Sequence, residues 1–341
     1  MNRPLTGMTV EEMATLLGSR TRALSLARWL FSEGNPPSAS PLPDSIPGVS
    51  RRIWTAVRES CELRLPRVAA HRASDDGTIK LALEAEGAHF ETVVIPAQGR
   101  STVCISSQAG CSRRCRFCAT GRLGLTRNLQ AHEMVEQLLI ARVQAPARAP
   151  LRNVVLMGMG EPMDNLDAVL QAVRIWTQAP APQLGADHVT VSTSGVLPGM
   201  RRFLEECQAH LALSLNGTTD AQRSRLMPQN EQWPISELLD ALRQSARQDA
   251  KRIFFIEYVP IEGINDSEAD ACRLLELLRG IPARVNLIAH NPFPGCELRP
   301  APAERMLRFQ RIVNDGGIRC MLRASRGREI SAACGQLAGR I

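Results

Sequence analysis

From Ser101 onward the chain repeats one pattern six times: a short apolar run, then a longer amphipathic stretch. The runs are "STVCIS", "NVVLMGMG", "HVTVSTSG", "HLALSLN", "RIFFIEYVP" and "ARVNLIAHNP". All but "HLALSLN" carry β-branched residues, and all are too short for a helix, so each reads as a buried strand. The stretches between them, such as "LQAHEMVEQLLIARVQA" and "ISELLDALRQSARQ", place apolar residues at helical spacing. Strands alternating with helices bury themselves as a parallel sheet, either doubly wound or curled into a partial barrel. Both arrangements put functional residues at the carboxyl ends of the strands.

The remainder of the chain reads as appendages to that sheet. "TVEEMATLLGSRTRALSLARWLF" opens with a capping box, Thr9 with Glu12, and continues at helical spacing. "GNPPSASPLPDSIP", residues 34–47, carries five prolines and reads as a loop, and a further helical piece covers 51–62. Residues 1–65 therefore form an expected helical domain. "TIKLALEA" and "HFETVVIPA" alternate as strands and predict a β-hairpin extension over 66–98. The sheet domain is assigned to 99–317 and a C-terminal segment to 318–341.

No run approaches the roughly 18 apolar residues of a membrane helix. The first residues carry acids where a secretion signal has its apolar stretch, which makes a cytoplasmic protein the expectation. Net charge is +7, carried almost wholly by arginine, since Lys80 and Lys251 are the only lysines. A basic, arginine-rich surface suits a polyanion; codon bias toward arginine is the plain alternative. Ten cysteines in such a chain point to metal or catalytic chemistry and not to a disulfide framework. Cys61, Cys207 and Cys272 fall on helical patterns and read as small core residues. Cys296 and Cys320 have no evident role.

"CSRRCRFCATG" follows the first strand, at a functional end of the sheet. Its three cysteines, Cys111, Cys115 and Cys118, are spaced C-x3-C-x2-C. Thiolates select zinc or iron–sulfur clusters. A structural zinc site wants four ligands, usually two separated pairs; here there is no second pair, and Cys104 lies within a predicted strand. Three thiolates on a 4Fe–4S cluster leave one iron open to a substrate. A colourless zinc-stabilised RNA-binding protein without catalysis is the rival reading.

At this point the chain resembles a known family. The C-x3-C-x2-C motif matches that of radical S-adenosylmethionine (SAM) enzymes, and "GMGEP" at 158–162 is similar to their glycine-rich SAM-binding turn. "TVCISSQAGCSRRCRFCATG", "VVLMGMGEPMDN", "VTVSTSGV", "LALSLN", "NLIAHNPFPG" and "SRGREISAACGQLAG" together resemble the RlmN/Cfr family of RNA adenine methyltransferases, over nearly the whole chain. The resemblance implies a radical SAM partial (βα)6 TIM-like barrel with a small helical N-terminal domain that binds RNA. It implies one 4Fe–4S cluster per chain, held by Cys111, Cys115 and Cys118, and two SAM molecules per turnover.

The implied chemistry uses two more cysteines. Adenine ring carbons are too electron-poor for direct displacement on SAM. In the family a C-terminal cysteine, by position Cys334, takes a methyl group, becomes a methylene radical and adds to the base. A second cysteine, by position Cys104, then attacks the Cys334 sulfur and releases the product by thiol–disulfide exchange. Glu91 matches the position of a proton acceptor, although by itself it reads as a solvated strand carboxylate. Gly160, Glu161, Ser192, Ser214, Leu215, Asn216 and Asn291 match SAM contacts, and Phe117 is expected near the SAM adenine. Two positions depart from the family pattern: Asn216 stands where histidine is usual, and His290 where tryptophan is common. The implied substrate is an adenine of 23S rRNA, and of tRNA in dual-specificity members, with C2 the expected target carbon and C8 the alternative. Arginines of the N-terminal domain and of "RCMLRASRGRE" are expected to hold phosphates. A flavodoxin or ferredoxin is the expected electron donor, and the protein is expected to be a monomer.

Overall fold

The computed structural model describes residues 2–32, 42–178, 180 and 184–339. Most of the proline-rich loop expected over 34–47 lies outside the described residues. A ten-stranded sheet organises the rest. Seven of its strands are parallel neighbours, in chain order: Arg100–Cys104, Leu151–Leu156, Val189–Thr193, His210–Ser214, Phe254–Tyr258, Ala283–Ile288 and Cys320–Arg323. One principal helix crosses between each successive pair: Ala131–Gln144, Leu166–Thr177, Leu197–Glu206, Ile235–Gln248, Glu268–Leu277 and Ala303–Asp315. The six strand–helix repeats of the partial barrel are therefore present.

The seventh parallel strand was not expected. Cys320–Arg323 pairs with Ala283–Ile288 from Val285↔Cys320 to Ile288↔Arg323. Four residues bounded by arginines carry no alternation to betray a strand. The partner's exposed edge makes it one, and Cys320, which had no evident role, is buried there.

On its other side the sheet turns antiparallel. Arg100–Cys104 pairs with Ala88–Ala97, which pairs with Ile79–Ala85, which pairs with Arg67–Ala73. The expected hairpin thus exists but is continuous with the barrel sheet, and a third strand completes it. Its turn places both Glu86 (φ 48°) and Gly87 (φ 71°) in the left-handed region, the geometry that matches strand twist in a two-residue hairpin. The outermost strand is irregular: its register shifts between Val68 and Ala70, leaving Ala69 unopposed.

The N-terminal helices are Val10–Leu17, Arg20–Phe31 and Arg51–Ser60. Thr9 and Glu12 form the predicted capping box. Gly18 ends the first helix in the left-handed conformation (φ 63°), splitting the stretch that reads as continuous. Leu5, Met13, Leu26 and Trp54 are buried and belong to the same apolar core as the barrel helices. Polar contacts add to the join: Thr6 Oγ1 donates to Glu136 at 2.5 Å and Gln171 Nε2 to Glu12 at 2.7 Å. Among the cysteines expected in the core, Cys61 and Cys207 are buried but Cys272 is exposed, on the outer side of its helix. Among the described residues no helix is long and apolar enough to cross a membrane.

Candidate active site

The first parallel strand ends at Cys104, and the chain then forms a two-stranded ribbon, Gln108–Cys111 with Gly124–Asn128. The cysteine loop is the connection between these two strands. Cys111, Cys115 and Cys118 line one cavity at the carboxyl ends of the barrel strands. Cys118 N donates to Cys115 O at 3.1 Å, and Arg116 N ties the loop to Leu226 O at 2.9 Å. Arg113 pairs with Asp164 and lies over the Trp233 ring, 5.7 Å from its centroid.

Burial pushes the Cys111 thiol up to about 12, with the nearby Glu161 and Cys118 adding to it. Cys115 is raised too, by burial first and then by Cys118 and Cys111. Cys111 and Cys115 are desolvated and each is opposed by its cysteine neighbours, so their ionisation calls for a cationic partner that the three sulfurs can share. Each thiolate of a cubane binds a different iron, so the three need not meet at one point. Among the described residues no three His, Cys, Asp or Glu side chains gather as ligands of a single ion. The donor set fits an iron–sulfur cluster.

The next turn, after Leu151–Leu156, carries "GMGEP". Gly160 sits at φ 105°, and a Cβ there would lie 2.6 Å from Gln108 Cβ, so only glycine brings this turn against the ribbon. Glu161 is one of the positions that match SAM contacts. It lines the cavity, but its carboxylate is engaged: Oε1 accepts from Met163 N at 3.0 Å, and Oε2 from Ser194 N and Oγ, both at 2.7 Å. It braces two adjacent strand-end turns, and burial raises its pKa despite those bonds.

Ser192, Ser214, Asn291 and Phe117 line the cavity as expected. Asn291 Nδ2 donates to Cys334 O at 3.2 Å, while its buried Oδ1 has no partner within the protein, which suits a ligand's donor. Leu215 offers the cavity no side chain. It is fully buried in the apolar core, on the opposite side of the chain from Ser214; its backbone N donates to Glu257 O and its backbone O accepts from Arg223 Nε, both at 3.0 Å. Asn216 is at the cavity but its side chain is occupied: Oδ1 accepts from Val259 N at 2.8 Å and Nδ2 approaches Met227 Sδ at 3.3 Å. Its left-handed backbone (φ 53°) is better tolerated by asparagine than by most residues. His290 is buried at the cavity wall, with Nε2 3.5 Å from Cys296 Sγ.

Cys334 joins two cavities. It lines the three-cysteine cavity and also a second one that holds Cys104, Glu257, Asn286 and Arg323. Both thiols are free. Cys104 is buried at the end of the first parallel strand, and its pKa is raised by burial and then by Cys334. Cys334 is exposed to the cavity lumen; the surrounding walls still desolvate its thiol and push it up to about 11, with Glu257 the next cause. Its segment is docked on the cluster loop, with Ala119 N donating to Gly335 O at 2.7 Å and Thr120 Oγ1 to Leu337 O at 2.6 Å. Gly335 has φ 82°, and a Cβ on it would stand 2.9 Å from Phe117 O.

Glu91 is not the solvated carboxylate it reads as, and it lines neither of these cavities. It is fully buried, with Lys80 Nζ 3.1 Å from Oε1 and Ala338 N donating to Oε2 at 2.9 Å. The carboxylate that lines both cavities is Glu257, a residue with no role in the family resemblance. Asn286 Nδ2 donates to it at 2.7 Å, and Arg323 Nε donates to Asn286 Oδ1 at 2.9 Å. Burial pushes Glu257 up to about 7. A lone carboxylate in the apolar strand "RIFFIEYVP" was the available signal. Of the C-terminal arginines expected on phosphate, Arg323 is turned inward to Asn286 and Arg326 pairs with Asp76.

Three thiols on a loop at the carboxyl edge of a partial parallel barrel, beside a glycine turn, define a radical SAM enzyme, and the radical SAM superfamily model matches residues 105–275. The chain is 42% identical to the dual-specificity RNA methyltransferase RlmN of Anaeromyxobacter sp. strain Fw109-5, across 96% of this chain and 88% of that one. It is 39% identical to the protein of the same name from Marinobacter nauticus, across 96% and 89%. The crystal structure of a radical SAM methyltransferase from Sphaerobacter thermophilus superposes with a TM-score of 0.90 at 38% identity, covering 99% of this chain and all of that one. The chain belongs to the RlmN family of radical SAM RNA methyltransferases. It is accordingly a SAM-dependent RNA methyltransferase that uses a 4Fe–4S cluster.

Proposed function

We propose that the enzyme methylates C2 of an adenine in 23S rRNA and, as its relatives' name "dual-specificity" suggests, in tRNA as well. Cys111, Cys115 and Cys118 hold one cluster per chain, leaving one iron for SAM. Gly160, Ser192, Ser214 and Asn291 line the SAM site. When bound, the cluster and SAM supply a carbon-centred radical. Cys334 carries the methyl carbon, first as S-methylcysteine and then linked to the base. Once the ring hydrogen at the reacting carbon has been lost, Cys104 thiolate attacks Cys334 Sγ, forming an S–S bond as the S–C bond to the base methylene breaks; the electron pair of that bond passes to the methylene carbon, which takes up a proton to become the methyl group. Two SAM molecules are consumed per turnover. The protein works as a cytoplasmic monomer, with a flavodoxin or ferredoxin as electron source.

One observation carries this reading: Cys334 lines both the three-cysteine cavity and the cavity that contains Cys104. A carrier must reach both the source of the methyl group and the thiol that releases it. The test is denaturing electrophoresis of Cys104→Ala after expression. A ribonuclease-sensitive upward shift is expected, absent in Cys334→Ala and in the double variant. Full methylation activity in either single variant overturns the scheme. Mass analysis of adenosines from a deletion strain identifies the product; loss of 8-methyladenosine in place of 2-methyladenosine overturns the assignment to C2.

A further inference from the structure

Lys80 is one of two lysines in the chain, and it is buried. Burying an ammonium is costly unless it is paired. Its partner is Glu91 on the adjacent antiparallel strand, at 3.1 Å. The register is Lys80↔Val93 and Ala82↔Glu91, so the two are diagonal neighbours on one face of the hairpin. Neither charge is spent on the pair alone. Lys80 Nζ also donates to Ser331 O at 3.2 Å, and Glu91 Oε2 accepts from Ala338 N at 2.9 Å. Those two contacts lie on either side of Cys334 in the chain.

The segment they grip has no regular secondary structure between its tethers. Ser331 has a left-handed backbone (φ 54°) without being glycine. Such a conformation persists only where its surroundings impose it, and the Lys80 ammonium on the Ser331 carbonyl is one such constraint. Further upstream the same extension holds Gly327 N on Asp76 Oδ2 at 3.1 Å, and Ser74 bonds Glu329.

We propose that Lys80 and Glu91 are positioning residues: a buried ion pair that clamps the Cys334 segment on both sides and sets where its sulfur stands between the two cavities. The inference rests on Cys334 being the methyl carrier. It gives the antiparallel extension a part in the reaction, as the anchor of the carrier, and gives Glu91 a place in it without contact with the reacting atoms.

The test compares Lys80→Met with Lys80→Arg, which keeps the charge and the donors. Hydrogen exchange of the unliganded protein is read first. In Lys80→Met, amides of 331–338 are expected to exchange about tenfold faster while the strand His210–Ser214 keeps its protection. The kcat for RNA methylation should fall on the order of 100-fold with KM for RNA unchanged, as misplacement of a reacting group predicts. Lys80→Arg should recover most of both effects. Unchanged exchange at 331–338 overturns the clamp. So does exchange that rises equally throughout the molecule, which would make the pair a general stabiliser. Mass analysis of Cys334 in the wild-type protein after incubation with SAM separates the two readings: without S-methylcysteine there the carrier assignment fails, whatever the exchange experiment shows.

Discussion

Two cysteine-bearing segments meet at the centre of this molecule, and they are built in opposite ways. The cluster loop is short, closed by a two-stranded ribbon, and rooted in the first parallel strand. The Cys334 segment follows the last strand and is irregular. It is held by single contacts from several places: Asn291, Ala119, Thr120, Lys80 and Glu91. The contrast fits the two tasks proposed for them. A metal ligand serves best when the backbone fixes it. A carrier that serves two cavities needs a defined position without the stiffness of a strand, and dispersed tethers supply that.

Substitutions in the two segments should therefore fail differently. The largest effect belongs to Cys115→Ala, which should reduce bound iron and sulfide to near zero after anaerobic reconstitution. Cys334→Ala should keep the full brown colour and iron content with no turnover. Loss of iron in Cys334→Ala would remove the distinction between ligand and carrier. Next comes Gly335→Ala, where the left-handed backbone and the 2.9 Å approach to Phe117 O both oppose a Cβ. The strain is of order 1–3 kcal/mol and falls on the carrier, so methylation should drop about tenfold or more while iron content is unchanged.

Glu257 sharpens the comparison from the cavity between the segments. Its pKa is raised from the ordinary 4.5 to about 7 by burial. The neutral acid is the form the fold favours. Its contribution is therefore fully present below pH 4.5 and is lost as pH rises through 7, amounting to about 3 kcal/mol at most. Thermal melts of the apo protein should show a decline over that window that Glu257→Gln flattens; an unaltered slope would place the titration elsewhere. The smallest effect is expected for Arg326→Ala. It removes a half-exposed ion pair with Asp76, 3.7 Å long, and should cost well under about 1 kcal/mol. A larger loss would mean that the upstream end of the carrier segment depends on that tether.

What could be read before folding was whatever is written locally. The barrel repeats, the Thr9–Glu12 cap and the C-x3-C-x2-C loop depend on residues within one turn or one strand of each other. The meeting of Cys104 with Cys334 does not, and it came only from family resemblance. The same resemblance carried Leu215 and Asn216 along with Ser214, yet adjacent positions at a strand end point to opposite sides, so Leu215 belongs to the core. The burial of Glu91 is not legible either, because charge alone implies exposure and its partners, Lys80 and the C-terminal segment, are set by the fold. Glu257 is hidden in the sequence because its strand reads as apolar through the helix-facing residues Phe254, Ile256 and Tyr258, while which face lines the barrel is set only by the fold.

Among the described residues the barrel sheet does not close and has no strand beyond either margin, and a free margin is a template on which another chain can add a strand. The outermost strand, Arg67–Ala73, is mostly exposed. It lacks a flat row of donors and acceptors, because the unopposed Ala69 bends it and Arg67 and Arg72 place charge along it. Solubility at high concentration, a property unconnected with methyl transfer, should depend on this defect. Removing Ala69 together with both charges is expected to drive the protein into edge-to-edge assemblies that light scattering detects as larger than the unaltered protein, with the cluster site unaltered.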